Sequence, residues 1–184
     1  MENKIIVLDI ETTHLKYAEG CIVEIGAVEL NLDNGEIVEV FNSLCKEPTL
    51  TAKDRNAWIF SNSDLTVEAV RNSRPFAEVA KEFQDVLNEY SLGATAFNRL
   101  FDFTYLHSRG INFPKVLPCP MLLSADVCKI PGKYGDYKWP SVMEAFKFFF
   151  PEREYTEKHR GCDDAKHEAM IVYELYKLGI FKID

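Results

Sequence analysis

The stretch that most constrains the fold is Lys4 to Thr13, KIIVLDIETT. Ile5, Ile6, Val7 and Leu8 form an unbroken apolar, β-favouring run, the pattern of a strand buried on both faces. The run leads into Asp9 and Glu11. Strand side chains alternate with a period of two, so both carboxylates project from the same face. Two like charges side by side at the end of a buried strand are costly unless a cation lies between them. Oxygen ligands suit magnesium and manganese, which makes the pair a candidate divalent-metal site. The plainer reading is a strand leaving the core into a polar turn with both acids solvated.

With 184 residues, the chain is expected to form one domain over 1–184 with a full core. Hydrophobic residues at 47% and charged residues at 27% are ordinary for a soluble globular chain. No apolar run approaches the length of a membrane helix, and the first strand begins at once, leaving no room for a signal peptide. The five cysteines are odd in number and never spaced as CxxC, which argues against a disulfide framework or structural zinc and for reduced thiols. The expected location is the cytoplasm. The net charge of −8 argues against tight, non-specific duplex binding. If four acids hold two divalent cations, the loaded protein carries −8 + 4 = −4. Arg99, Arg109, Arg160, Lys129, Lys133 and Lys138 also lie near the motifs, so a phosphate substrate met through metals stays open.

Along the chain, Cys21–Leu32 and Ile37–Cys45 read as strands joined by a turn at Asp33-Asn34-Gly35-Glu36. With the first run they make a three-stranded meander. Residues 46–74 read as an irregular connection with one or two short helices. Pro75 opens a helix carrying Phe76, Val79, Phe83, Val86 and Leu87 at helical spacing. Ser91–Phe97 reads as a short strand, Phe101–Ser108 as a helix, and Met121–Lys129 as a short helical piece. Gly132–Pro140 (GKYGDYKWP) looks like a loop. Ser141, three residues before Glu144, caps a helix to Phe149, and a long helix covers Cys162–Leu178. Strands first, then helices interleaved with one more strand, suggest α+β or α/β with helices against a mixed sheet.

Two further stretches bear on the metal. In Ala96–Leu106 (AFNRLFDFTYL), Asn98 ends a strand and Asp102 sits near a helix start, where the helix dipole alone would favour an acid. In His159–Ala165 (HRGCDDA), a loop imidazole precedes the helix-borne Asp164 by five residues; the plainer reading is a surface histidine and a solvated first turn.

Taken together, Asp9-Ile10-Glu11-Thr12-Thr13, Asn98 through Phe101-Asp102, and His159 with Asp164-Ala165 resemble the DEDDh family of 3′–5′ exonucleases. Ile22-Val23-Glu24-Ile25-Gly26-Ala27-Val28 is similar to the family's second strand, and Pro75-Phe76 with Val79 to the start of its first long helix. The likeness spans nearly the whole chain. Departures are His14 where the family usually has Gly, Phe97 where it often has His, and Gly161 where Ala is common. None touches a ligand, but the detail of the terminal-nucleotide pocket is open.

The resemblance implies an α/β, ribonuclease H-like mixed β-sheet of about five strands with helices on both faces. It implies that Asp9, Glu11, Asp102 and Asp164 hold two Mg2+ or Mn2+ ions, and that these acids with His159, the general base, are catalytic. Successive helix residues differ by about 100°, so only one of Asp163 and Asp164 faces the site; the motif selects Asp164 and leaves Asp163 to solvent. Thr12 and Thr13 would lie near the 3′-terminal nucleotide. Asn98 would bond the sugar–phosphate or brace the second motif. His14, Phe101 and Tyr105 are candidate walls for the terminal base, although a core aromatic is the plainer reading of Phe101. Tyr134, Tyr137 and Trp139, with Lys133 and Lys138, either stack bases of a single strand or anchor their loop to the core. The implied partner is nucleic acid with a free 3′ end, single-stranded, with replication or repair proteins as further partners and no membrane. DNA is favoured because GKYGDYKWP resembles a stretch in stand-alone phage and bacterial members. The alternatives are RNA or oligoribonucleotide trimming, and a non-catalytic module docking on a polymerase or helicase.

Overall fold

A computed structural model describes residues 3–183. Its strands are β1 (Lys4–Thr12), β2 (Ile22–Asn31), β3 (Ile37–Lys46), β4 (Arg74–Pro75) and β5 (Ala94–Thr95). Its helices are α1 (Ile59–Asn62), α2 (Val67–Arg71), α3 (Phe76–Glu89), α4 (Arg99–Ser108), α5 (Pro120–Cys128), α6 (Val142–Phe149) and α7 (Gly161–Lys177), with a 3₁₀ turn at Ala52–Asn56. The sheet runs β4-β3-β2-β1-β5. β1 is antiparallel to β2 and parallel to β5, so the sheet is mixed and the expected meander is present.

The apolar run of β1 is buried on both faces. Ile5 and Val7 pack with Ala165, Ala169 and Val172 of α7. Ile6, Leu8 and Ile10 pack on the other side with Val79, Phe83 and Leu87 of α3 and with Phe103 and Leu106 of α4. Asp9 and Glu11 continue the odd parity, so their carboxyl groups fall on the α7 face.

Local chemistry explains the boundaries. At the β2–β3 turn Gly35 adopts φ +77°, a conformation glycine takes without a Cβ penalty, and Asn34 Oδ1 accepts the Glu36 N–H at 2.9 Å. Ser141 and Glu144 form the expected reciprocal cap of α6. The expected strand at Ser91–Phe97 shrinks to Ala94–Thr95, because only Ile6↔Ala94 and Val7↔Thr95 pair before the chain turns away from β1. Asn98 therefore lies beyond the strand, at the N-cap position of α4, which starts at Arg99, ahead of the expected Phe101. The parting of β1 and β5 opens a crevice at the carboxyl ends of two parallel strands, where open α/β sheets place ligands. No helix among the described residues is long and apolar enough to cross a membrane.

The start of α7 is pressed onto the sheet beside Asp9. A Cβ on Gly26 would lie 2.0 Å from Cys162 N and 2.1 Å from Gly161 C; one on Gly161 would lie 2.8 Å from Gly26 N and 3.0 Å from Asp9 O. Glycine at 161, the departure noted in the sequence, fits this approach. Because the colliding atoms are backbone, Gly26→Ala is expected to cost more than the roughly 1–3 kcal/mol of ordinary overpacking. Urea unfolding measures this, and a variant as stable as the parent would contradict the packing.

Candidate active site

The site is built at the crevice. Asp164, in the first turn of α7, is 2% exposed. Its Oδ1 accepts from the Tyr155 hydroxyl (2.7 Å) and the Lys158 N–H (3.3 Å), and its Oδ2 from the Arg160 N–H (2.9 Å). These bonds fold residues 155–160 over the helix start and bring His159 above it. Ligand atoms of Glu11, His159 and Asp164 all lie within 4.8 Å of one another. Asp102, 3% exposed in the first turn of α4, reaches β1, its Oδ1 accepting the Ile10 N–H at 3.3 Å. Asp163 turns the other way and pairs with Lys158 Nζ at 3.0 Å. It is half-buried, not the solvent-facing acid expected.

His159 adopts φ +55°. Holding a non-glycine residue in the left-handed region costs about 1–3 kcal/mol, which neighbouring contacts must offset. Here the Trp58 ring meets the imidazole edge-on at 4.7 Å. The next residue, Arg160, grips the buried Glu24 at 2.8–3.2 Å and Asp64 at 2.8 Å.

The acids crowd one another. Asp9 is half-buried at the end of the core run of β1. Desolvation first, then Glu168, Glu11, Asp102 and Asp164, hold it well above the usual carboxylate range. Burial, then Asp164 and Glu24, push Glu11 up to about 9, and burial pushes Asp102 up to about 8. Among the described residues no Lys, Arg or His forms an ion pair with Asp9, Glu11, Asp102 or Asp164. The cations expected nearby brace the fold instead: Arg160 as above, Arg109 on Glu47, and Arg99 on the Leu117 carbonyl. A desolvated, oxygen-rich donor set without a protein cation fits a hard divalent ion.

Between the ordinary carboxylate value and the raised one, the metal-free folded state binds more protons than the unfolded chain. Its stability therefore falls as pH rises towards about 8 for Asp102 and about 9 for Glu11. In EDTA, the melting temperature is expected to be lower at about pH 9 than at about pH 5, and saturating Mn2+ should raise it most at the alkaline end. Identical melts with EDTA and Mn2+ would contradict metal binding by these acids.

Beside the acids lies a cleft of about 580 Å³ lined by Glu11, Thr12, Thr13, His14, Leu15, Trp58, Asn98, Phe101, Glu157 and His159, among others. Thr13 Oγ1 accepts the Cys21 N–H at 2.9 Å and Thr12 Oγ1 donates to the His14 carbonyl at 2.9 Å, fixing the turn after β1. The His14 ring is engaged in that turn too: Nδ1 accepts the Lys16 N–H at 3.0 Å, and Nε2 lies 3.4 Å from Glu19. Phe101 is half-buried and lines the cleft, whereas Asn98 is exposed and makes no capping bond. Tyr105 is corrected: at 1% exposure, with its hydroxyl bonded to the His14 carbonyl, it braces the turn and walls nothing. The rings of Tyr134, Tyr137 and Trp139 are exposed at 86%, 47% and 65%, so they do not anchor their loop to the core.

Trp58, Tyr155, Glu157 and Glu168 were not anticipated. Glu168 follows Asp164 by one helical turn, a spacing that could have flagged it. The other three lie on irregular segments with no periodic signal.

A family model for exonucleases matches residues 6–172, and the chain belongs to that family, with the ribonuclease H-like fold of the DEDDh 3′–5′ exonucleases that its motifs resemble. The DNA polymerase III PolC-type protein of Thermotoga petrophila is 30% identical over 97% of this chain, and that of Clostridium perfringens 27% identical over 96%. The chain spans only about 12% and 11% of those polymerases. The nuclease domain of 3′hExo, a DEDDh family member bound to rAMP, superimposes with a TM-score of 0.72 at 17% identity, covering 100% of this chain and 96% of that one. Escherichia coli Exonuclease I in complex with a dT13 oligonucleotide gives 0.67 at 11% identity, covering 95% and 41%.

Proposed function

We propose that this chain is a single catalytic unit that removes nucleotides from the 3′ end of single-stranded DNA and releases nucleoside 5′-monophosphates. The observation that carries the reading is the convergence of Glu11, Asp164 and His159 ligand atoms within 4.8 Å, where β1 and β5 part. Asp9, Glu11, Asp102 and Asp164 are the residues that would hold two Mg2+ or Mn2+ ions. When bound, such a pair stabilises both the attacking and the leaving oxygen of an in-line displacement.

The chain's own residues do the rest. His159, which lines the cleft with a ring nitrogen within 4.8 Å of Glu11 and Asp164 oxygens, serves as the general base for the attacking water, with its proton passed to solvent at the cleft mouth. Thr12 and Thr13 present the turn after β1 to the 3′-terminal nucleotide. Phe101, its ring centroid 5.2 Å from that of Tyr105, walls the terminal base with His14, Leu15 and Trp58, while Asn98 borders the sugar–phosphate.

DNA is favoured because the curated relatives at 27–30% identity are DNA polymerases, which also makes replication proteins the partners to examine. RNA is the second reading, since the 3′hExo domain was solved with rAMP and a 3′-exonuclease of similar fold recognises a histone mRNA stem-loop. Competition between matched DNA and RNA strands of one sequence tests the choice. Faster trimming of DNA is expected; preferential loss of RNA would transfer the assignment to the exoribonuclease.

A further inference from the structure

On the β5 side of β1, the Ile6 N–H donates to Gly93 O at 3.1 Å, but the β1–β5 ladder ends at Val7↔Thr95. Beyond it, one amide from each side of the crevice is met by a carboxylate. Ile10 N–H donates to Asp102 Oδ1 at 3.3 Å, and Phe97 N–H donates to Glu168 Oε2 at 3.1 Å. Asp102 thus closes the β1 side of the crevice and Glu168 the β5 side.

Glu168 lies one turn after Asp164 on α7, so both project from the same helix face. It is 3% exposed. Of the acids around Asp9 it exerts the strongest field, ahead of Glu11, Asp102 and Asp164. Among the described residues it has no ion pair with Lys, Arg or His. To accept the Phe97 N–H, a neutral glutamine would serve equally, since its amide oxygen is also an acceptor. An ionised carboxylate here adds negative charge where four acids already crowd, a burden relieved without a metal by holding a proton and, once the group is ionised, by a cation in the crevice.

We propose that Glu168 is a fifth carboxylate of the metal centre, a positioning residue that fixes the Phe97–Asn98 turn ahead of Asp102 and adds its charge to the hold of Asp9 on the divalent ion. The proposal rests on the metal-centre reading above. One carboxylate oxygen is bound to the turn that leads into α4, so the side chain acts through Asp9 and Asp102.

The test is calorimetric titration of Mn2+ into the substrate-free wild type, Glu168→Gln and Glu168→Ala, with melts of each in EDTA. Glutamine keeps the acceptor and removes the charge. Glu168→Gln is therefore expected to melt higher than wild type in EDTA at about pH 9, where the crowded acids ionise, yet bind Mn2+ more weakly, by roughly 10- to 100-fold, the usual effect of losing an outer partner of a metal site. Glu168→Ala should lose at least as much Mn2+ affinity and melt below Glu168→Gln, because Phe97 N–H is left without its partner. Wild-type Mn2+ affinity in Glu168→Gln would overturn the proposal and leave Glu168 as a turn brace. Absence of Mn2+ binding by the wild type would overturn the metal-centre reading itself, and this inference with it.

Discussion

Asp9→Ala is expected to abolish measurable turnover while raising the melting temperature of the metal-free protein. The two effects have one cause. Asp9 extends from a strand whose preceding residues, Ile5 to Leu8, are wholly buried, so its carboxyl is held in place by the core. There it faces Glu168, Glu11, Asp102 and Asp164, and burial and their combined field oppose its ionisation. Deleting the carboxyl removes part of that repulsion, and such stability–activity opposition is common at active sites. It also removes one of the four proposed metal ligands. A metal pair supplies several kcal/mol of charge stabilisation in the transition state, and at 1.36 kcal/mol per tenfold the rate should fall by about 10³ or more. Turnover assays and melts in EDTA check the pair of effects. Full activity would overturn the role of Asp9, and a lower melting temperature in EDTA would overturn the crowding argument.

His159→Ala is expected to lower the rate by about 10²- to 10⁴-fold, the range for loss of a positioned general base, with metal binding retained. The distinction matters because the imidazole lies within 4.8 Å of Glu11 and Asp164 ligand atoms, close enough to be a ligand itself. If it is a base, Mn2+ still raises the melting temperature of the variant while the rate stays low. If the Mn2+ shift disappears with the rate, His159 is a ligand and the proton goes elsewhere.

Much of this arrangement was legible in the sequence because it follows from periodicity. The parity of β1 put Asp9 and Glu11 on one face, and the structure adds that this is the α7 face. Ser141 and Glu144 announced their helix, and Asp33-Asn34-Gly35 announced the hairpin. What the sequence could not convey arises from backbones meeting across the fold. The length of β5 depends on where it leaves β1, and the contact of Gly26 with Gly161 depends on how closely α7 approaches the sheet. Tyr105 shows the same limit: it was a candidate wall for the terminal base, but its depth depends on how the turn after β1 packs on α4, and it is buried there. Trp58 reaches His159 from an irregular segment held by a small core of Val23, Ile59, Leu65 and Val70, which no local pattern predicts.

Metal-dependent hydrolysis from the 3′ end leaves a distinctive pattern of products. The most direct measurement is a time course on a 5′-labelled single strand with Mg2+ or Mn2+, beside an EDTA control. A labelled ladder that shortens one nucleotide at a time is expected, with nucleoside 5′-monophosphates as the only released product and no reaction in EDTA. Immediate release of the label as a mononucleotide, internal cuts, or shortening that persists in EDTA would contradict it.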